Sequence, residues 1–499
     1  MTYLRMESGR VALSRYVAAA LPLMQYDHVQ FPGAVPRSFV GPLLLACVSA
    51  PWVALQQYAF GTSSDAQRIV RCVLAMAAGL ALMHFARRVL RSAAERAFFL
   101  AICAAQFHLT FWAGRTTPNG IAFPLVVASL GEVLGGTRRA RSVALGALAV
   151  TAVVLRLELL GLAAPAYLWA WLSGRISLAR AVAVGLVACM AGVVVTHTID
   201  AYFWHGVDTG LAPLPGGLHW PELVALRFNV WEGRSAAWGV APPWAYVTHE
   251  LPKLLSFSLP LVLAGLIAQR RCVFPLLLVA TGHVLLLSLL AHKEWRFLVY
   301  TVPLWNALAA VGATALMRTW RTVGATLAVL CIVLCAALNA LATYVSVHNY
   351  PGGAALMALH RRATSPVNVH IDTLAAMTGV SLFLSEFAAR PARSLLPSRT
   401  TFPWTYDKRE SLSLAELCAH THLLTEEGCD MCGNVFQPLG PPVLGLAGIR
   451  RKTLASWTHD ILVLPQSTGL DAAWQRLLPV VVEQAPAIWV CGRHDSLLR

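Results

Sequence analysis

Long apolar runs recur along this chain, and they constrain its fold more than any other feature. They fall near residues 39–58, 69–85, 97–113, 120–134, 142–172, 178–198, 254–268, 272–291, 297–317 and 322–346. A helix of about 20 apolar residues crosses the roughly 30 Å of a bilayer's hydrocarbon, and it satisfies every backbone polar group internally, as hydrocarbon demands. Only 13% of the 499 residues are charged, against about a quarter in soluble chains. The expected fold class is therefore a polytopic α-helical membrane protein with roughly 9–11 transmembrane helices, the 142–172 run being long enough for a bent pair. Pro42 and Pro51 interrupt the 39–58 run, which is expected to lie against the membrane surface without crossing.

Charge sorts the connecting segments. Those at 87–96, 135–142, 173–180, 269–271 and 318–321 are short and basic, which places them in the cytosol by the positive-inside pattern. That pattern accounts for the net charge of +15 without nucleic acid. Alternation then puts 113–119, the turn around Arg156 and Glu158, the loop 199–252 and the turn at 289–302 on the opposite, lumenal side. After about 347 the composition becomes polar and rich in Pro and Gly. The expected organisation is an N-terminal lumenal segment 1–38, a transmembrane domain 39–346 and a lumenal α/β domain 347–499. Seven of eleven cysteines sit in apolar runs, whereas Cys418, Cys429, Cys432 and Cys491 belong to the last domain. The C-D-M-C at 429–432 has the spacing of half a zinc site but no second pair follows it. A disulfide fits a lumenal domain better.

Chemistry concentrates where charge meets the apolar runs. "LLAHKEWRFLVYTV" (289–302) carries His292, Lys293, Glu294 and Arg296 within five positions. If the following helix extended back through the turn, Lys293 and Arg296 would share a face. Paired cations at a membrane surface suit a phosphate headgroup whose lipid tail stays in the bilayer. The competing reading is that both merely snorkel at a helix end. "QYDHVQFPG" offers Asp27 and His28, "GRTTPN" Arg115 and Asn119, and "VVLRLELL" Arg156 with Glu158. An acid and a base inside an apolar run are costly unless they pair or face a polar cavity. "TIDAYFWHG" sets Asp200 beside Trp204, and the following loop adds Trp220, Trp231, Trp238 and Trp244. Aromatics beside a carboxylate suit a sugar ring, although an interfacial aromatic belt has the same composition.

"HKEWRF" resembles the HKExRF signature of glycosyltransferase family 22. "YDHVQFPGAVPRSFVGPLL", "FHLTFWAGRTTPN", "DAYFW", "HKEWRFLVYTVPLWN", "HNYPGGAALMALH", "HIDTLAAMTGVSLF" and "YDKRE" resemble its segments, in order, from residue 26 to about 410. The resemblance implies a GT-C fold in the endoplasmic reticulum membrane. It also implies inverting, metal-independent transfer of mannose from dolichyl-phosphate-mannose to a dolichyl-diphosphate-linked oligosaccharide, without a cofactor. These segments are most like the branch that forms an α-1,6 linkage in N-glycan precursor assembly. The alternatives are a branch acting on glycosylphosphatidylinositol anchors or forming α-1,2 linkages, or an inactive truncated homologue. The implied donor-phosphate ligands are His292, Lys293 and Arg296. Glu294, His28, Arg115, Asn119, Arg156, Asp200, Trp204 and Trp238 are the implied supporting or sugar-binding residues, with no metal ligand. The attack needs a carboxylate base, which the family carries in an acidic stretch after a first helix. Here "YLRMESGR" (3–10) matches that stretch only at Glu7 and Ser8. The expectation is that the first helix is missing, that Glu7 is the base, and that Asp27 or, third, Asp200 replaces it if Glu7 is out of reach.

Overall fold

The apolar runs form helices, several of which begin at a capped end. The computed structural model describes residues 28, 35–60, 66–206, 214–268, 273–363, 367–380, 404–410, 412–462 and 476–494. Contacts divide the chain into two units that change over between Asn339 and Ala340.

The first unit holds α1 (Val40–Phe60), α2 (Ala66–Val89), α3 (Ala93–Ala105), α4 (Pro118–Gly135), α5 (Arg138–Val154), α6 (Leu160–Leu172) and α7 (Leu178–Phe203). It continues through α8 (Tyr246–Ile267), α9 (Val273–Ser288) and α10 (Val302–Val347). Side-chain oxygens of Ser92, Thr117, Thr137 and Ser177 accept from orphan amides at the starts of α3, α4, α5 and α7, so these helices start where the sequence changes from polar to apolar. Among the described residues, Ala66–Val89, Pro118–Gly135, Leu178–Phe203, Tyr246–Ile267 and Trp295–Val347 are long and apolar enough to cross a membrane, and shorter apolar helices occupy Val40–Gln56, Leu157–Leu172 and Val273–Ser288.

Polar residues interrupt the helices at three places. The 97–113 run is not one helix: α3 stops at Ala105, Gln106 is extended, and a single turn follows at Phe107–Thr110. The buried Gln106 amide donates to Ser258 Oγ at 3.1 Å and exchanges hydrogen bonds with Asn306, and a regular helix does not bring it there. The 142–172 run breaks at Leu155–Arg156. Last, α10 reverses at Trp320–Arg321, where Arg321 takes a left-handed φ of 43°. A Cβ at Gly324 would collide with the Leu316 carbonyl, so the two limbs approach to within backbone contact. The break falls in the basic segment 318–321.

The second unit is a six-stranded sheet with helices. Its elements are α11 (Pro351–Arg362), β1 (Val367–Ile371), α12 (Thr373–Met377), β2 (Trp404–Asp407), α13 (Leu414–Cys418), β3 (His422–Thr425), β4 (Phe436–Pro438), β5 (Val443–Arg451), α14 (Leu454–Leu462) and β6 (Val480–Arg493). The sheet order is β2-β1-β3-β6-β4, with β5 on β6. β1 runs parallel to β2 and β3, and β6 runs antiparallel to β3, β4 and β5. Period-2 alternation sends Val367, Val369 and Ile371 into one core with Leu356, Leu359, Ile488 and Val490. Leu423, Cys429, Phe436 and Cys491 pack together in a second cluster.

The two cysteines of C-D-M-C take different partners, Cys432 with Cys418 and Cys429 with Cys491. That pairing excludes them from a zinc knuckle. Their sequence separations of 14 and 62 residues correspond to about 3 and about 4 kcal/mol of loop-closure stabilisation. Cys429→Ser is expected to destabilise this unit more than Cys418→Ser, read as the larger fall in the denaturant midpoint of its proteolytic cleavage.

Candidate functional site at the polar end of the helices

The basic segments meet one another. Arg88 and His84 of α2 pair with Glu132 of α4 at 2.5 and 2.9 Å. Arg141 of α5 donates to the Val133 and Gly136 carbonyls, and Arg175 to Leu134 O. The other polar segments meet at the opposite ends of these helices.

There the starts of α1, α4 and α6 and the approach to α10 are tied by one buried network. Arg156 Nε and Asn119 Nδ2 both donate to Glu158 Oε1, at 2.7 and 3.0 Å. Asn119 also donates to Tyr300 Oη at 3.1 Å and lies 3.5 Å from the Arg296 carbonyl. Glu222 accepts from Arg37 Nη1 at 3.2 Å and from the Leu157 amide at 3.0 Å. Burial, the largest influence on Glu222, pushes its carboxyl above the ordinary value while Arg37 and Arg156 pull it down. The charges expected to be costly in the 142–172 run are thus paired, and both side chains of the Arg156–Glu158 pair are 11% exposed.

The HKEWRF turn packs beside this network. Its helix starts only at Trp295, with Glu294 extended before it, so Lys293 lies outside the helix and shares no helical face with Arg296. Lys293 instead points back, its Nζ donating to the Ala241 and Leu290 carbonyls at 3.1 and 2.6 Å. Burial holds its ammonium below the usual value. Glu294 accepts from Arg296 through Nε, at 2.8 Å, and through Nη2. His292 bridges Glu294 Oε1 and Gly239 O. Burial pushes the Glu294 carboxyl up, but Arg296 and then His292 outweigh it and hold it below the ordinary range. Among the described residues nothing engages Arg296 Nη1, which leaves that edge for a ligand.

Arg296 and Asn119 line one pocket, walled by His108, Trp112, Phe123 and Trp295. Trp295 packs edge-on against His108 and Trp112, with centroids at 4.9 and 5.1 Å. Arg115 stacks on Phe111 at 4.4 Å. Gly120 is needed at the rim, since a Cβ there would collide with the Arg115 carbonyl. A cation edge, an amide and apolar ring faces together can hold a phosphate joined to a sugar.

Asp200 takes another place. It is fully buried, its oxygens accepting from the Phe39 amide at 2.7 Å and Thr196 Oγ1 at 2.5 Å. His28 bonds the Phe203 carbonyl at 2.7 Å and Trp204 Nε1 donates to Arg37 O at 3.1 Å. Asp200 and Trp204 anchor the 35–39 segment, which carries Arg37 to Glu222. Glu7 and Asp27 lie outside the described residues, and Trp238 closes a short turn at Arg234–Trp238. Sequence reading missed Arg37, Glu222, Tyr300 and His108. The available signal was an isolated acid in "PELVAL" within a chain that has only 24 acids.

These features define a polytopic helical membrane protein that gathers cations, amides and aromatic rings at one end of its helices. Residues 20–396 match the model of the Alg9-like mannosyltransferase family, and the chain belongs to that family. It is 33% identical over 416 residues to a Drosophila melanogaster Dol-P-Man:Man(7)GlcNAc(2)-PP-Dol alpha-1,6-mannosyltransferase, a match covering 81% of this chain and 57% of the fly protein. The Saccharomyces cerevisiae protein of the same name is 32% identical, over 72% of this chain and 70% of its own length. The chain thus spans little more than half of the fly relative. The crystal structure of ArnT from Cupriavidus metallidurans bound to undecaprenyl phosphate is similar at 13% identity and a TM-score of 0.46, covering 76% of this chain and 80% of that one.

Removing one member of a buried ion pair leaves its partner uncompensated, at a cost of about 3–5 kcal/mol. Glu158→Ala is expected to lower the thermal midpoint in detergent markedly, whereas the exposed-pair variant Glu483→Ala (Arg450 partner, 72% and 49% exposed) leaves it nearly unchanged.

Proposed function

We propose that this chain transfers mannose from dolichyl-phosphate-mannose to a hydroxyl of a dolichyl-diphosphate-linked oligosaccharide. The linkage formed is α-1,6, with inversion, in N-glycan precursor assembly. The observation that carries this reading is the pocket in which Arg296 and Asn119 meet beneath the Trp112–Trp295–His108 wall, at the ends of apolar helices along which a lipid tail can lie. The family and the names of the relatives support the donor, the acceptor and the linkage.

In this reading the acceptor hydroxyl attacks the anomeric carbon, its proton passes to a carboxylate, and the bond to the donor phosphate breaks. Inversion requires one base on the attacking side and no covalent intermediate. Glu7 takes that role, with Asp27 as its substitute. Arg296 faces the leaving phosphate, Lys293 adds its charge from outside the pocket, where backbone carbonyls hold it, and Glu294 and His292 hold Arg296 in place. Cations positioned in advance stabilise the charge that builds on the leaving group. The transfer takes no metal and no cofactor. Both disulfides belong to the second unit, which supports an oxidising, lumenal setting in the endoplasmic reticulum.

Arg296→Ala is expected to lower kcat about a hundred- to a thousand-fold, the usual effect of losing one donor to a developing charge. Arg296→Lys restores little of it, because an ammonium cannot hold the two-edged guanidinium geometry. The measurement is transfer of labelled mannose from dolichyl-phosphate-mannose to a seven-mannose lipid-linked acceptor, with linkage analysis of the product. Undiminished transfer by Arg296→Ala and Lys293→Ala defeats the phosphate role. Transfer from a nucleotide sugar alone defeats the donor assignment. Glu7→Gln and Asp27→Asn identify the base by which of them abolishes kcat.

A further inference from the structure

The second unit brings together three side chains that the transfer chemistry does not use. His370 of β1 and Asp407 of β2 are direct register partners on parallel strands, so they project from the same face of the sheet. His420 follows α13 and reaches that face from the turn before β3. One ligand atom from each of the three lies within 4.8 Å of the other two, and the two imidazole centroids are 5.5 Å apart.

The surroundings are those of ligands held in advance. His420 Nδ1–H donates to the Glu416 and Leu417 carbonyls at 3.0 and 3.1 Å. That bond fixes the ring and leaves Nε2 directed at Asp407 Oδ2, 3.2 Å away. An imidazole whose far nitrogen bonds a backbone carbonyl is the usual arrangement behind a metal-binding histidine. Asp407 is oriented in turn by Arg409, through its amide at 2.9 Å and its guanidinium at 2.8 Å. His370 is 8% exposed, and its Nδ1 has no hydrogen-bond partner among the described residues. A buried ring nitrogen without a partner is costly.

We propose that His370, Asp407 and His420 form a binding site for one divalent transition-metal ion of the zinc class. Two imidazoles and one carboxylate favour such an ion over calcium or magnesium, which prefer oxygen ligands. Ligand atoms around a tetrahedral zinc lie about 3.3 Å apart, so a small side-chain movement closes the set. The ion ties β1, β2 and the turn into β3 together, a structural role separate from sugar transfer. It lies in the second unit, which the expectation of no metal ligand also covered.

The test uses the full chain in detergent, dialysed against micromolar ZnCl2 and then against metal-free buffer. Elemental analysis is expected to find about one zinc per chain, and zinc is expected to raise the thermal midpoint by several degrees over an EDTA-treated sample. Cobalt(II) in its place is expected to give visible absorption bands of nitrogen and oxygen ligation, without thiolate charge-transfer bands. His370→Asn and His420→Asn each lose the metal and the zinc-dependent shift. Arg409→Ala, which removes the ion pair but no ligand, retains both. Absence of zinc from the wild-type chain, together with a midpoint indifferent to zinc and EDTA, overturns the proposal without reference to any variant. So does metal retained in both histidine variants.

Discussion

Everything at the polar end of this molecule depends on one constraint, that charge inside an apolar helical bundle must be matched at close range. The acid shared by Arg156 and Asn119 meets that requirement at the break between α5 and α6. Because Asn119 stands at the start of α4 and also bonds Tyr300 just before α10, the same acid fixes the relative positions of three helix starts. Glu222 extends the network through Leu157 and Arg37 to the segment leading into α1. The pocket beside Arg296 exists because these helix ends cannot drift apart without exposing unpaired charge.

Much of this was legible as pattern and little of it as pairing. Apolar runs and basic segments gave the helices and their two polar ends, because hydrocarbon leaves a chain few options. The HKEWRF turn stood out by its density of charge. Its geometry did not, since a helical face for Lys293 and Arg296 assumed a helix that starts two residues too late to include Lys293. Glu222 was invisible for a different reason: its partner Arg37 lies 185 positions away, and no local spacing encodes such a contact. Asp200 is ambiguous in the sequence, because a carboxylate beside aromatic rings describes a sugar site and a buried anchor equally well. Only its full burial and its engaged oxygens distinguish the two.

The second unit repeats the lesson at smaller scale. Four cysteines in a polar, Pro- and Gly-rich region indicated cross-links, and the C-x2-C spacing suggested that its two members act together. The sheet separates them: Cys491, on β6, is reached by Cys429, while Cys432 turns back to α13. His370 and Asp407 stand in "HID" and "YDKRE", 37 positions apart, yet strand register makes them neighbours. Motifs name residues, and register decides which of them can share a ligand.

The presence of Glu294 inside the cationic turn is informative about what the turn can do. A phosphate site made only of cations would bind a charged lipid headgroup tightly before and after reaction alike, and uniform binding does not speed the chemical step. Glu294 neutralises part of the charge on Arg296 and fixes the Arg296 guanidinium and the His292 ring in position. The guanidinium retains one edge for the ligand, and Lys293 adds its charge from the side, held by backbone carbonyls. Such a turn offers a modest net attraction to a phosphodiester bearing one charge. In the proposed reaction its attraction would be greater for the phosphate that gains a second charge as its bond to the sugar breaks. Under the proposed function, the acid would shift the balance of the site from holding the donor toward stabilising the leaving phosphate.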